Sequence, residues 1–382
     1  MKRKEIRGDF MTSIVSIVVL AAVFGGAVWQ LYLKENTSGL KRTENNAMYI
    51  IAVMIAGIVA NVIGAVCYYG HETDMSCFIG WSDQLFNDGL RQFYLSEGFH
   101  DYPPGYVYVM YLLGAVKNLL DLQGTGLQLF IKLPAIIANM VTGYMVYKIA
   151  SKKFGNDVSA VFAALIVLNP AYILVSAMWG QVDSILTLFC LLAVYLTAEK
   201  RYTLSYFMFA IAVLIKPQAL FFTPVLIYGI IDFARSEEYT KEKLIKILLS
   251  GVAAVAFMFV AFMPFGNDPI HGISVIINQY VETLASYPYM TVNAFNIYGA
   301  IGKNWTGLTT AGSIIGYCLI GVVVAYSAYV FFKSKSPDKY YISAFILVFG
   351  TFMLSVKMHE RYAFPGMAML MLALIAVPNT RR

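Results

Sequence analysis

Long apolar blocks separated by short polar breaks occupy most of the chain, and blocks of that length predict membrane-crossing helices. Basic clusters at Lys34/Lys41/Arg42, Lys152/Lys153, Lys200/Arg201, Arg235 to Lys246, Lys333/Lys335/Lys339 and Arg381/Arg382 should share the cytoplasmic side, so the chain crosses an even number of times between any two of them. Two crossings fit Asp157–Glu199 with a tip at Trp179–Asp183, and two fit Tyr202–Phe233 with a break at Lys216-Pro217-Gln218. Two more flank an outer loop of Gly266–Thr310, and the last two flank a tip at Lys357–Arg361. Between Ala47 and Ala150 three apolar runs give the wrong parity. The middle one, Val107–Leu120, has only about 14 residues and follows Pro103-Pro104, so it is expected to be a juxtamembrane or re-entrant helix.

The result is an all-α, polytopic transmembrane helical protein of about 11 spans, ten of them in a core. Residues 1–46 are expected to form an N-terminal transmembrane helix (Thr12–Leu33) and cytoplasmic linker, and 47–382 a membrane catalytic domain. The N-terminal helix has charges of similar weight on both flanks, which leaves its orientation open. In the outer loop Ile273, Ile276, Ile277, Tyr280, Val281 and Leu284 recur at helical spacing, which predicts an amphipathic helix on the membrane surface. The longest polar stretch, His71–Tyr106, belongs to the first extracytoplasmic loop, which is expected to bear juxtamembrane helices, and every polar tip falls on that same outer face.

Composition agrees: of 382 residues 59% are hydrophobic and 13% charged, leaving no soluble domain of useful size. The net charge of +6 is topological, since its cations sit between apolar runs, and does not signal nucleic-acid binding. The four cysteines form no metal or disulfide spacing. The run from Thr12 is too long for a signal peptide and lacks a small-residue cleavage pattern.

The polar tips hold the candidate chemistry. Asp74 and Asp101 bracket the first outer loop; a loop aspartate is ordinarily a solvated charge, but Asp101 precedes Tyr102-Pro103-Pro104, which stiffens the backbone presenting it. Lys216, between apolar runs, either snorkels to headgroups or meets an anion, because an unpaired cation there costs about 2.5 to 3.5 kcal/mol on insertion scales. His359, Glu360 and Arg361 form a second charged tip; with Lys216 this is a phosphate clamp, or Glu360 closes a structural ion pair with Lys216 or Lys357. Trp179, Gln181 and Asp183 mark a tight turn whose carboxylate could simply open the next helix. Asn293, Asn296 and nearby aromatics could bind a sugar or be interfacial residues, and the glycosylation patterns at Asn36 and Asn304 are weak.

In order, these motifs resemble membrane glycosyltransferases of the GT-C superfamily, in particular bacterial relatives of the second mannosyltransferase of GPI-anchor assembly and the lipid-linked glucosyltransferases of N-glycan assembly. Asp74 with Trp81 and the Asp101-Tyr102-Pro103-Pro104 run resemble the glucosyltransferase first loop. Trp179-Gly180-Gln181-Val182-Asp183 resembles the GPI-type pattern, Lys216 with Ala219-Leu220 resembles Lys-x-x-Ala-Leu, and His359-Glu360-Arg361 resembles His-Glu-Lys. The resemblance implies transfer, with inversion, of a hexose, mannose in the first instance, from a polyprenyl-phosphate donor to an extracytoplasmic glycolipid, glycan or protein at a bacterial cell membrane. Asp74 would then be the catalytic base; Lys216, His359 and Arg361 would hold the carrier phosphate; Asp101, Tyr102, Trp179, Gln181, Asp183, Gln218, Asn293 and Glu360 would line the substrate. A cation clamp can do the work of a metal on a monophosphate leaving group, so no metal or other cofactor is expected. Asp183 departs from the asparagine of the glucosyltransferase pattern, which leaves the donor sugar open. A transporter or flippase, or a polymerase of lipid-linked glycans, is the competing expectation; a transporter would spread its charges near the midplane and on both faces.

Overall fold

The computed structural model describes residues 47–377. The Thr12–Leu33 helix, its orientation, the 1–46 segment and the Asn36 pattern lie outside those residues. The described chain is helical apart from two two-residue strands. Its helices are α1 (Met48–Cys67), α2 (Glu72–Phe93), α3 (Pro104–Leu119), α4 (Gly124–Ala150), α5 (Asn156–Val167), α6 (Asp183–Ala198), α7 (Tyr202–Ile215), α8 (Thr223–Ala234), α9 (Lys241–Phe262), α10 (Pro269–Ala285), α11 (Thr310–Lys333), α12 (Lys339–Leu354) and α13 (Phe364–Ala376).

Among the described residues six segments are long and apolar enough to cross a membrane: α1, α4, Asn156–Trp179, Pro217–Ala234, Lys241–Phe265 and α11. The apolar helices α6, α7, α12 and α13 have 13 to 16 residues. At 1.5 Å per residue they reach about 20 to 24 Å, short of a hydrocarbon core of about 30 Å. These ten segments lie where the charge pattern expects the core spans. Helix α3 belongs to neither group, in keeping with its juxtamembrane assignment.

The described residues form two compact units, one of residues 47–75 and 123–184 and the other of 76–122 and 185–377. In the first, α1, α4 and α5 meet at small residues: a Cβ on Gly57 would stand 2.7 Å from Val167, and one on Gly143 would collide with the same side chain. Helix α5 stops at Val167 because Pro170 supplies no N–H, and Asn61 Nδ2 takes up the Val167 carbonyl at 3.2 Å while also bonding the Gly57 carbonyl at 2.8 Å. Asn139 Nδ2 in turn donates to Asn61 Oδ1 and the Tyr172 carbonyl, both at 3.3 Å. After Pro170–Tyr172 the backbone widens into a π-helical segment, Ile173–Trp179, which Gly180 ends in the left-handed region at φ 94°.

Much of the polar stretch after His71 is helical. Residues Glu72–Phe93 form α2, kinked at Gly89, and within the second unit its buried face is Phe78, Ser82 and Leu85. Helix α3 packs closely on it, where a Cβ on Gly114 would collide with the Ser82 carbonyl, and Lys117 forms an ion pair with Asp83. Against α7, a Cβ on Gly105 would stand 2.6 Å from the Leu214 carbonyl carbon. The predicted amphipathic helix is α10, but its apolar residues divide: Ile276 is buried, whereas Ile277, Val281 and Leu284 are exposed. Strands β1 (Thr291–Val292) and β2 (Met358–His359) pair in parallel and fasten the outer loop to the last tip.

Candidate active site

In the first unit the backbone turns at Gly70, where φ is 109° and a side chain would strike the Trp179 carbonyl. Close approach brings the His71 N–H to that carbonyl at 3.4 Å, and the imidazole stacks on the indole with ring centres 5.7 Å apart. Trp179 Nε1 donates to Asp74 Oδ2 at 2.7 Å, and His71 Nδ1 lies 3.6 Å from the same oxygen. Among the described residues Asp74 Oδ1 takes no hydrogen bond, and the side chain is 26% exposed. One carboxylate oxygen is therefore held while the other is left to meet a proton donor.

The turn carrying Trp179 rests on Lys132, a cation inside the apolar helix α4 that no motif in the sequence marks. Lys132 is wholly buried, and Nζ donates to the carbonyls of Ala65 (3.3 Å), Tyr68 (2.5 Å) and Met178 (3.0 Å). Gln128 Nε2 joins it on Ala65 and Tyr68. The ammonium has three donors and three acceptors at helix C-terminal ends, where the backbone dipole favours a cation. Beyond Gly180, Gln181 is buried with its N–H on the Val175 carbonyl at 2.9 Å, and Asp183 is buried in the first turn of α6.

In the second unit Tyr102 is buried among Phe78, Trp81 and Tyr106, with ring centres 5.5 to 5.8 Å away. Lys216 Nζ stands 5.4 Å from the Tyr102 ring centre, a cation–π distance. Lys216 is extended and almost buried, because Pro217 ends α7 and a 3-10 turn, Pro217–Phe222, separates it from α8. On that turn Gln218 Oε1 is buried without a hydrogen-bond partner among the described residues.

Helix α10 holds the loop bearing Asp101: Gln279 Nε2 donates to the His100 carbonyl, Thr283 Oγ1 to the Asp101 carbonyl at 3.2 Å, and the Tyr280 hydroxyl to the Val213 carbonyl at 2.8 Å. The helix thus clamps the loop that carries Asp101. The Tyr94 hydroxyl donates to the Tyr102 carbonyl at 2.6 Å, and burial pushes its pKa well up, keeping it a donor. Burial also lowers the His100 pKa; the neutral ring donates from Nε2 to Gln84 Oε1 at 3.0 Å.

At the last tip, His359 is nearly buried between Tyr287 and Tyr362, with ring centres 4.9 and 5.0 Å away. Glu360 pairs with Arg361 Nη1 at 2.8 Å, a structural ion pair whose partner is neither Lys216 nor Lys357. Lys357 instead donates to the Leu284 carbonyl at 2.9 Å, capping α10. The turn after Lys216 adjoins this tip, because Phe221 packs with Ala294, Phe352, Met358 and Tyr362.

Asn293 and Asn296 are held by the fold. Asn293 has φ 53°, and its Oδ1 accepts from Trp305 Nε1 at 2.9 Å and Asn304 Nδ2 at 3.3 Å. Asn296 caps the turn at Ile297–Ala300 and donates to the Phe352 and Ser355 carbonyls, so its hydrogen-bonding capacity toward a sugar is spent. The β1/β2 pairing that seats these residues carries no sequence signal, because a two-residue strand has no period to detect.

The fold is similar to that of the oligosaccharyltransferase of Archaeoglobus fulgidus, a structure with a tethered acceptor peptide, at a TM-score of 0.50 and 13% identity. The alignment covers 86% of this chain and 49% of that one, so the chain spans about half its length. This likeness concerns the fold alone, a GT-C arrangement. No curated protein sequence matches. The model of the ALG6, ALG8 glycosyltransferase family matches residues 90–285, just over half of the 382-residue chain and a stretch that includes Asp101, Tyr102, Trp179, Gln181, Asp183, Lys216 and Gln218. The chain thus belongs to the ALG6, ALG8 glycosyltransferase family.

Proposed function

We propose that the protein transfers one hexose, with inversion, from a polyprenyl-phosphate carrier to the hydroxyl of a glycolipid, glycan or protein acceptor on the extracytoplasmic face of a bacterial membrane. Asp74 takes the acceptor proton as the acceptor atom bonds to the anomeric carbon. The bond from that carbon to the phosphate oxygen breaks, its electron pair leaves with the lipid phosphate, and Lys216, His359 and Arg361 stabilise the new anion. Asp101, Tyr102, Gln181 and Asp183 orient sugar or acceptor, Gln218 offers its carbonyl oxygen to a sugar hydroxyl, and Glu360 sets the angle of Arg361. Trp179 orients the base. Asn293, whose Oδ1 is held by Trp305 and Asn304, meets the substrate at the edge of the site. The cation clamp makes a metal unnecessary, and a chelator should leave activity intact.

The observation that carries this reading is the Asp74 carboxylate, fixed at one oxygen by the Trp179 indole and open at the other. Purified protein given labelled polyprenyl-phosphate sugars should transfer them, and Asp74→Asn should lose at least about 100-fold in rate, the low end for general-base removal. Unchanged transfer by Asp74→Asn ends the assignment of the base, and uptake into vesicles with no glycosyl transfer supports a transporter. Mannose is the donor we favour, from the Trp179–Asp183 motif; the family match favours glucose. Competition between the two donor lipids decides.

A further inference from the structure

A charged feature outside the candidate site lies at the end of α6 and the start of α7. A cavity of about 370 Å³ opens where the α6–α7 turn meets the start of α9 and the end of α8. Lys200, Arg201, Lys243 and Lys246 line it with a single carboxylate, Glu238. Lys200 pairs with that carboxylate, whose pKa is lowered by the contact, and Lys243 reaches the Glu238 carbonyl at 3.3 Å. Among the described residues Arg201 and Lys246 make no ion pair, although both are exposed. Leu204, Phe233 and Ile247 add an apolar wall to the same cavity. Beside it α9 exposes Leu248, Leu249 and Val252 at 50, 60 and 65%, on a helix long and apolar enough to cross a membrane. Thr203 and Ser250 hydroxyls, 2.7 Å apart, join α7 to α9 at the groove.

Uncompensated cations next to an apolar wall that continues down a membrane helix match an amphiphile with an anionic head and hydrocarbon tails. A soluble anion would use the cations and leave the wall bare. The positive-inside pattern puts this end at the cytoplasmic leaflet, where anionic lipids attract basic clusters. We infer that the groove binds the headgroup phosphate of an anionic phospholipid, with its acyl chains along α7 and α9. The site is independent of the proposed transfer reaction.

The test uses the full-length chain in nanodiscs of phosphatidylcholine with or without phosphatidylglycerol, with bound lipid counted by native mass spectrometry and unfolding followed thermally. Wild type should retain phosphatidylglycerol over phosphatidylcholine and unfold at a higher temperature with it. At about 1 kcal/mol per cation, Arg201→Gln or Lys246→Gln should each weaken that preference about fivefold, and the pair about thirtyfold. Lys335→Gln, an exposed cation of another basic cluster, should not change it. Both substituted side chains are exposed, so the single variants should unfold as wild type does in phosphatidylcholine alone. Equal retention of the two lipids, a preference surviving in the double variant, or equal stabilisation by inorganic phosphate or glycerol 3-phosphate overturns the proposal.

Discussion

The hydrogen bond from Trp179 to Asp74 gives the candidate base its orientation, and its worth can be measured. A bond to a charged acceptor contributes about 1.5 to 3 kcal/mol. Trp179→Phe keeps a ring against His71 while removing the donor, so kcat should fall about 10- to 100-fold with the unfolding temperature little changed. An unchanged kcat would mean that the indole only fills space. A second residue makes the fold sensitive to pH. His100 has its pKa lowered by burial from an ordinary 6.5, so below 6.5 the unfolded chain takes up a proton that the folded loop refuses. This stability is complete above 6.5 and is lost as the pH falls toward the lowered folded value. Between about pH 7.5 and 5.5 wild type should lose more thermal stability than His100→Gln, which cannot titrate. Equal losses would remove His100 as the cause. The turn at Trp179 was legible from its motif, but the contact of its indole with Asp74 was not, because it joins positions 105 residues apart.

At the scale of elements, the breaks at Gly180–Val182, Lys216 and Ser355–Ala363 were readable, since the first two combine polar residues with glycine or proline and the third gathers Lys357, His359, Glu360 and Arg361 between apolar runs. Helix α2 was not. Its polar residues outnumber its apolar ones, and the pattern of Met75, Phe78, Ser82 and Leu85 includes a buried serine, whose hydroxyl returns to the Phe78 carbonyl at 2.6 Å. Two glycines test the packing of this helix in opposite directions. Gly114→Ala on α3 pushes a methyl into the Ser82 carbonyl and should cost about 1 to 3 kcal/mol, as overpacking does. Gly80→Ala on α2 meets nothing within 4 Å and should add up to about 1 kcal/mol through helix propensity. Thermal unfolding of the two variants should therefore move apart. A shift of the same sign in both would show that α3 does not lie against α2 as described.

At the scale of the whole chain, parity between basic clusters placed the apolar segments because charge asymmetry and hydrocarbon thickness act independently of tertiary contacts. What parity leaves untested is the side on which each tip lies, and α11 offers a direct measurement. Its 24 residues reach about 36 Å, enough for one crossing, between the loop containing Lys303 and the basic turn containing Lys335. Both lysines are exposed, so cysteines there are open to reagent. With Cys67, Cys77, Cys190 and Cys318 replaced by serine or alanine, Lys303→Cys should react with a membrane-impermeant maleimide in intact cells. Lys335→Cys should react only after the membrane is opened. Glu237→Cys, exposed in the basic turn between α8 and α9, should behave like Lys335→Cys. Reaction of Lys303→Cys and Lys335→Cys from the same side would break the even-crossing rule on which the outer assignment of every motif depends. Reversal of all three would keep the parity, move the proposed chemistry to the cytoplasmic face and require a donor available there.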